Sequence, residues 1–199
     1  MVFVGRISSI VEREFRKLKT TERYRHSAPM IVIDIETTGL EPSKHCMVSL
    51  GAVHFETGRE FYAECRIYAD SSVSDFALQI NGFTRGEITD PAKPYAHEIL
   101  NQFISWASVR GDYLLGGQNL ASFDVQFLQW LCREKLMLKW PFGHRYVDLH
   151  SVAYSKFGKS MKADDIYVAL GMEPEPAIHN ALNGAIWCAK ALKLLAHNS

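Results

Sequence analysis

Residues 31–40 read IVIDIETTGL, an apolar, β-branched run interrupted by two acids, Asp34 and Glu36, and closed by Thr-Thr-Gly. That composition predicts a strand, and side chains two residues apart on a strand point to one face. Two carboxylates sharing a face of an apolar strand repel each other and resist desolvation unless a cation lies between them. Oxygen-rich carboxylate groups are what Mg²⁺ and Mn²⁺ take. An edge strand with two solvated acids, or acids paired with arginines, satisfies the same residues without a metal. The Thr-Thr-Gly that follows is a turn suited to backbone contact with a ligand.

Outward from this strand the chain alternates strand and helix patterns. MVSLGAVHF (47–55) and REFYAECRIY (59–68), joined through Thr57-Gly58, complete a three-strand meander. YLLGGQN (113–119) and RYVDL (145–149) read as the fourth and fifth strands. Helical periodicity covers 94–108, 122–136, 149–157, 163–170 and 178–196. Three strands followed by strand–helix alternation predict a mixed sheet covered by helices.

The 199 residues suffice for one domain with a substantial core, and 47% hydrophobic content is globular. Cys46, Cys65, Cys132 and Cys188 are far apart with no CxxC pair, which suggests neither a zinc site nor a disulfide framework. No apolar run approaches the roughly 20 residues that span a bilayer, and the amino end lacks a signal-peptide pattern. A cytoplasmic protein without membrane association is expected. Net charge is zero, but residues 1–28 carry seven Lys or Arg against three acids, so the remainder is mildly acidic. Ile7, Ile10, Val11, Phe15 and Leu18 give this basic extension a helical pattern that ends before Pro29. It reads as an amphipathic helix over 1–28, preceding a domain over 29–199. That helix docks on the body, forms a nucleic-acid arm, or binds a protein partner or second copy.

GGQNLASFDVQFLQWL (116–131) places Asp124 in the first turn of an amphipathic helix, after Asn119. Alone, an acid there is explained by the helix dipole. Asp148 caps a helix in the same way, and Asp164 and Asp165 open another. Near the carboxyl end, HNALNGAIW (179–187) sets Asn183 and Gly184 in the first turns of a helix, although glycine costs roughly 1 kcal/mol there relative to alanine.

The order DIETTGL, QNLASFD and a histidine-bearing terminal helix resembles the DnaQ-like (DEDDh) 3′–5′ exonuclease superfamily, which includes proofreading subunits of bacterial replicative polymerases and ribonuclease T. The resemblance covers residues 30–196 and implies a ribonuclease H-like α/β fold, a five-stranded mixed sheet flanked by helices. It implies metal-dependent hydrolysis of the terminal phosphodiester of DNA or RNA at a single-stranded 3′ end, releasing nucleoside monophosphates. By the same likeness Asp34, Glu36 and Asp124 hold two Mg²⁺ or Mn²⁺ ions, and His179 is the general base that deprotonates water. The turn residues Thr38, Gly39 and Leu40, together with Asn119, contact the terminal nucleotide, with Leu40 wedged against its base. INGFT (80–84) resembles another substrate-side turn, though Asn81 also reads as a plain turn residue.

One element of the family pattern is missing. The last metal-binding aspartate falls where this chain has Gly184. Asn183 is uncharged and sits one residue off, roughly 100° around the helix, or serves as a late helix cap. Glu173 and Glu175 substitute only if their loop folds inward. The alternative function is a catalytically impaired exonuclease fold acting as a nucleic-acid-binding or partner-binding module. Gly184→Asp is expected to restore a ligand, with Gly184→Ala as a benign control.

Overall fold

The computed structural model describes residues 29–107 and 113–197. Its sheet has the order β3-β2-β1-β4-β5, comprising β1 (Met30–Thr37), β2 (Met47–His54), β3 (Glu60–Glu64), β4 (Leu114–Gly117) and β5 (Tyr146–Asp148). The first three strands pair antiparallel, and β4 and β5 add parallel to β1. The expected five-stranded mixed sheet is therefore present. The amphipathic helix expected over 1–28 lies outside the described residues.

β1 is the central strand, and its alternation sorts the molecule into two cores. Ile31, Ile33 and Ile35 pack with α3 (Ala96–Ala107) and α4 (Asp124–Leu131) through Phe103, Leu128 and Leu131. Met30 and Val32 face the other way, toward α5 (Leu149–Phe157), α6 (Ala163–Ala169) and α7 (Ala181–His197). In α3 the buried positions Ala96, Ile99, Leu100, Phe103 and Ala107 follow the three-and-four spacing of a one-sided helix. α4 continues as one π-helical turn, Cys132–Leu136, closed by Met137 at φ 53°. Among the described residues no helix is long and apolar enough to cross a membrane.

Two differences from the sequence expectation have local causes. The third strand stops at Glu64; Cys65 N–H still reaches the Val48 carbonyl of β2 at 2.8 Å, but Arg66 N–H turns to the Pro94 carbonyl at 2.8 Å. The sequence reading missed two short helices, α1 (Asp75–Asn81) and α2 (Arg85–Thr89). Each is capped and contributes one apolar residue, Leu78 or Ile88, to a small cluster with Val48. Ser74 Oγ accepts the Ala77 N–H, Gly82 ends α1 at φ 75°, and Thr84 and Glu87 form a capping box on α2.

The approach of α7 to the sheet is unusually close. A Cβ on Gly51, in β2, would overlap the backbone of Ala181 and Leu182 in the helix's first turn. Gly51 pairs directly with Asp34 of β1, so this contact lies beside the acidic face. Gly51→Ala is expected to lower stability by about 1–3 kcal/mol in denaturant unfolding. Gly86→Ala in α2, where a Cβ has room, should be neutral or stabilising by up to about 1 kcal/mol. Equal effects would refute the close-approach account.

Candidate active site

Asp34 and Glu36 extend the β1 row begun by Met30 and Val32, so both point to the α7 side of the sheet. β4 follows β1 only as far as the Val32–Gly116 pair, which frees the next inward N–H of β1. Asp124 takes it. Its Oδ1 accepts the Ile35 N–H at 3.0 Å, clamping the start of α4 against the end of β1. Asp124 is 1% exposed and Glu36 8%.

These acids line one cleft of about 410 Å³ together with Gly184, Glu175 and His179, with Gln118 and Asn119 also in its wall. His179 is exposed at the foot of α7, its N–H bound to the Ile80 carbonyl at 3.0 Å. The helix is capped by Asn180, whose Oδ1 accepts the Leu182 N–H at 3.0 Å and the Asn183 N–H at 3.3 Å. Asn183 is therefore inside the helix and is not the cap considered from sequence. Asn119, at φ 52°, offers its carbonyl to the Ser122 and Phe123 N–H groups and turns the chain into α4.

Burial dominates the electrostatics. The Asp34 carboxyl is pushed well above the usual range by desolvation and then by the charges of Asp124, Glu36 and Glu175. Glu36 rises to about 8 through burial and the charges of Glu175 and Asp124. Asp124 rises to about 7; burial outweighs the backbone N–H groups that favour its anion. Glu175 is also raised by burial, with His179 pulling the other way. No Lys or Arg among the described residues lines this cleft. A set of hard oxygen donors with no protein cation fits Mg²⁺ or Mn²⁺. Among the described residues no three His, Cys, Asp or Glu are already closed into a metal-holding group, so the donors share a cleft without being gathered on one point.

A second pocket of about 400 Å³ adjoins the first, the two sharing Ile35, Glu36 and Phe123. Its walls include Gly39, Leu40, Phe76 and Ile80, with Leu40 79% and Phe76 70% exposed. The sequence reading named Gly39 and Leu40 here but missed Phe76 and Phe123, whose spacing carried no motif. Thr38 is corrected: it is 0% exposed, and its hydroxyl donates to the Ser72 carbonyl at 2.7 Å and accepts the Cys46 N–H at 3.0 Å. It builds the turn and does not face a ligand. Asn81 is likewise internal, donating to the Thr37 carbonyl and accepting the Phe83 N–H. Asp148 caps α5 and also accepts the Leu120 N–H, outside the acidic cleft.

Position 184 differs from expectation. A Cβ on Gly184 would lie 2.5 Å from Asp34 Oδ2 and 2.9 Å from its Cγ. The Asp34 carboxylate already fills that space, so neither Gly184→Asp nor Gly184→Ala fits unless Asp34 turns away.

The family model described as Exonuclease (RNase_T) matches residues 31–192. A DNA polymerase III PolC-type of Thermotoga maritima is 28% identical over 89% of this chain, which spans 12% of that protein. A DNA polymerase III subunit epsilon of Rickettsia typhi is 33% identical over 49% of this chain and 42% of its own length. Among solved structures, the zinc-bound E. coli ExoI–ssDNA complex superposes with TM-score 0.75 at 17% identity, over 87% of this chain and 41% of that one. The chain thus spans less than half the length of each.

The raised carboxyls set a pH dependence. A group held protonated more tightly when folded binds extra protons in the native state, so stability falls as pH rises from its unfolded pKa toward its folded one. For Glu36 that window runs from 4.5 to about 8. Metal-free protein is therefore expected to melt lower at about pH 8 than at about pH 6, with Mn²⁺ restoring the loss. Glu36→Gln should flatten the slope. A level metal-free profile across that window would contradict the site's electrostatics.

Proposed function

The chain belongs to the RNase T-type exonuclease family, with DEDDh-type motifs on a ribonuclease H-like fold, and from that premise we propose that it is a metal-dependent 3′–5′ exonuclease acting on single-stranded ends. The observation that carries the reading is the shared wall of the two pockets. An acidic cleft that suits divalent ions and phosphate adjoins an apolar pocket that suits a base, with Glu36 and Phe123 common to both.

In this reading Asp34, Glu36 and Asp124 hold the ions. When bound, these supply charge stabilisation to the attacking and leaving oxygens of the phosphodiester. His179 at the cleft wall accepts a proton from the attacking water, and its exposure lets that proton pass to solvent. Leu40, Phe76 and Phe123 receive the terminal base, an apolar platform of the kind that holds single strands by stacking. Asn119 lies where a polar contact to the same nucleotide is available. The solved relative named as an ExoI–ssDNA complex supports a DNA strand as substrate. The four described cysteines are free, which agrees with a cytoplasmic setting. The alternative, a binding module with a weakened metal site, rests on Gly184.

Single strands of DNA and RNA labelled at the 5′ end, incubated with Mg²⁺ or Mn²⁺, should shorten stepwise from the 3′ end. Asp34→Asn should reduce the rate by on the order of 10³-fold, and His179→Ala by about 10²-fold with strand binding retained. Binding without hydrolysis by the unaltered protein would favour the alternative, and release beginning at the 5′ end would refute the polarity.

A further inference from the structure

We propose that Glu175 supplies the carboxylate missing at position 184, so that the fourth acid of the metal site comes from the loop between α6 and α7 instead of from α7. This rests on the metal-dependent exonuclease reading and names a residue within it.

Four observations carry the inference. The helix position is crowded by Asp34, because a Cβ on Gly184 would lie 2.5 Å from Asp34 Oδ2 and a side chain there requires that carboxylate to turn. Glu175 enters the same cleft from another element and is half-buried there, whereas Glu173 is exposed. The loop is fastened on both sides of it. Glu175 N–H donates to Asp164 Oδ1 on α6 at 3.2 Å, Trp187 Nε1 on α7 donates to the Glu173 carbonyl at 3.0 Å, and His179 N–H is held by α1. Finally, Glu36, more than nine-tenths buried and aimed into the cleft, has no side-chain hydrogen bond or ion pair among the described residues.

A loop that holds a fourth acid beside three others, with no lysine or arginine lining the cleft, adds repulsion to the metal-free fold. Two divalent cations carry the charge that four carboxylates balance. Asp164 then has a positioning role, since its side chain fixes the backbone of the residue that would bind.

The test compares Glu175→Gln and Glu173→Gln with the unaltered protein, without nucleic acid. Mn²⁺ binding is followed by the electron paramagnetic resonance of the free ion, and melting is measured in chelator at about pH 8. The unaltered protein should bind two Mn²⁺. Glu175→Gln should weaken at least one of them about 10- to 100-fold and raise the metal-free melting temperature, because a repelling charge is gone. Glu173→Gln should change neither.

A Mn²⁺ titration of Glu175→Gln that matches the unaltered protein would overturn the proposal and leave the exonuclease reading intact. Weakened binding with a lower metal-free melting temperature would mean that Glu175 is structural, which also overturns it. If the unaltered protein binds no Mn²⁺, and Asp34→Asn behaves identically, the failure belongs to the metal-dependent reading itself.

Discussion

The close seat of α7 on the β1–β2 pair governs the geometry of the site. Two glycines permit it, Gly51 beneath the helix's first turn and Gly184 against Asp34. Without side chains at these points, the helix backbone descends until it occupies the space above the acidic row of β1. The seat also sets the position of His179, one residue before the Asn180 cap whose Nδ2 reaches Tyr62 on β3 at 3.3 Å. The carboxylate of Asp34 lies against this first turn, where the helix dipole gives modest compensation for negative charge. The glycine that is unfavourable for helix propensity thus leaves the room that the Asp34 carboxylate takes up against the helix.

The same seat concentrates unfavourable electrostatics. Glu36 and Asp124 are buried, and Asp34 is half-buried beside them, on the strand and helix that build the main core, so the group cannot move apart without disturbing it. The clamp between Asp124 and the Ile35 N–H offsets part of this for one acid and also fixes where α4 begins. What remains is repulsion held in place by a fold stabilised elsewhere. In a site of this kind a cation relieves repulsion in the same act as it binds.

The central strand was legible because its apolar residues and two same-face acids leave few alternatives. The longer helices were legible from periodicity; α3 and α5 were located within two residues at each end. Helices α1 and α2 were hidden because seven and five residues leave too little length for a periodic signal, and they are fixed by the caps at Ser74, Gly82 and the Thr84–Glu87 box together with single buried apolar residues, Leu78 and Ile88, packed on Val48. Thr38 was misread as facing a ligand because a motif gives position without direction. Phe76 and Phe123 were invisible for a related reason, since a pocket wall joins residues from distant parts of the chain. Glu175 was legible only as a condition on its loop, and the bonds to Asp164 and Trp187 that meet the condition are tertiary.

The division of the site into an acidic and an apolar half has a consequence for selectivity. Reading one base against another needs unpaired donors and acceptors aimed at its edge. In the apolar half such groups are largely engaged. Asn81 spends its amide on the Thr37 carbonyl and the Phe83 N–H, and His45 Nδ1 lies 3.2 Å from the Glu41 N–H while its ring packs over Gly39. Leu40, Phe76 and Phe123 instead present apolar surface, which in the proposed role would meet the face that all bases share. In that role a pocket built this way would hold any terminal base in a similar position. An enzyme that removes nucleotides one after another needs that indifference, because each hydrolysis delivers a different base to the same wall.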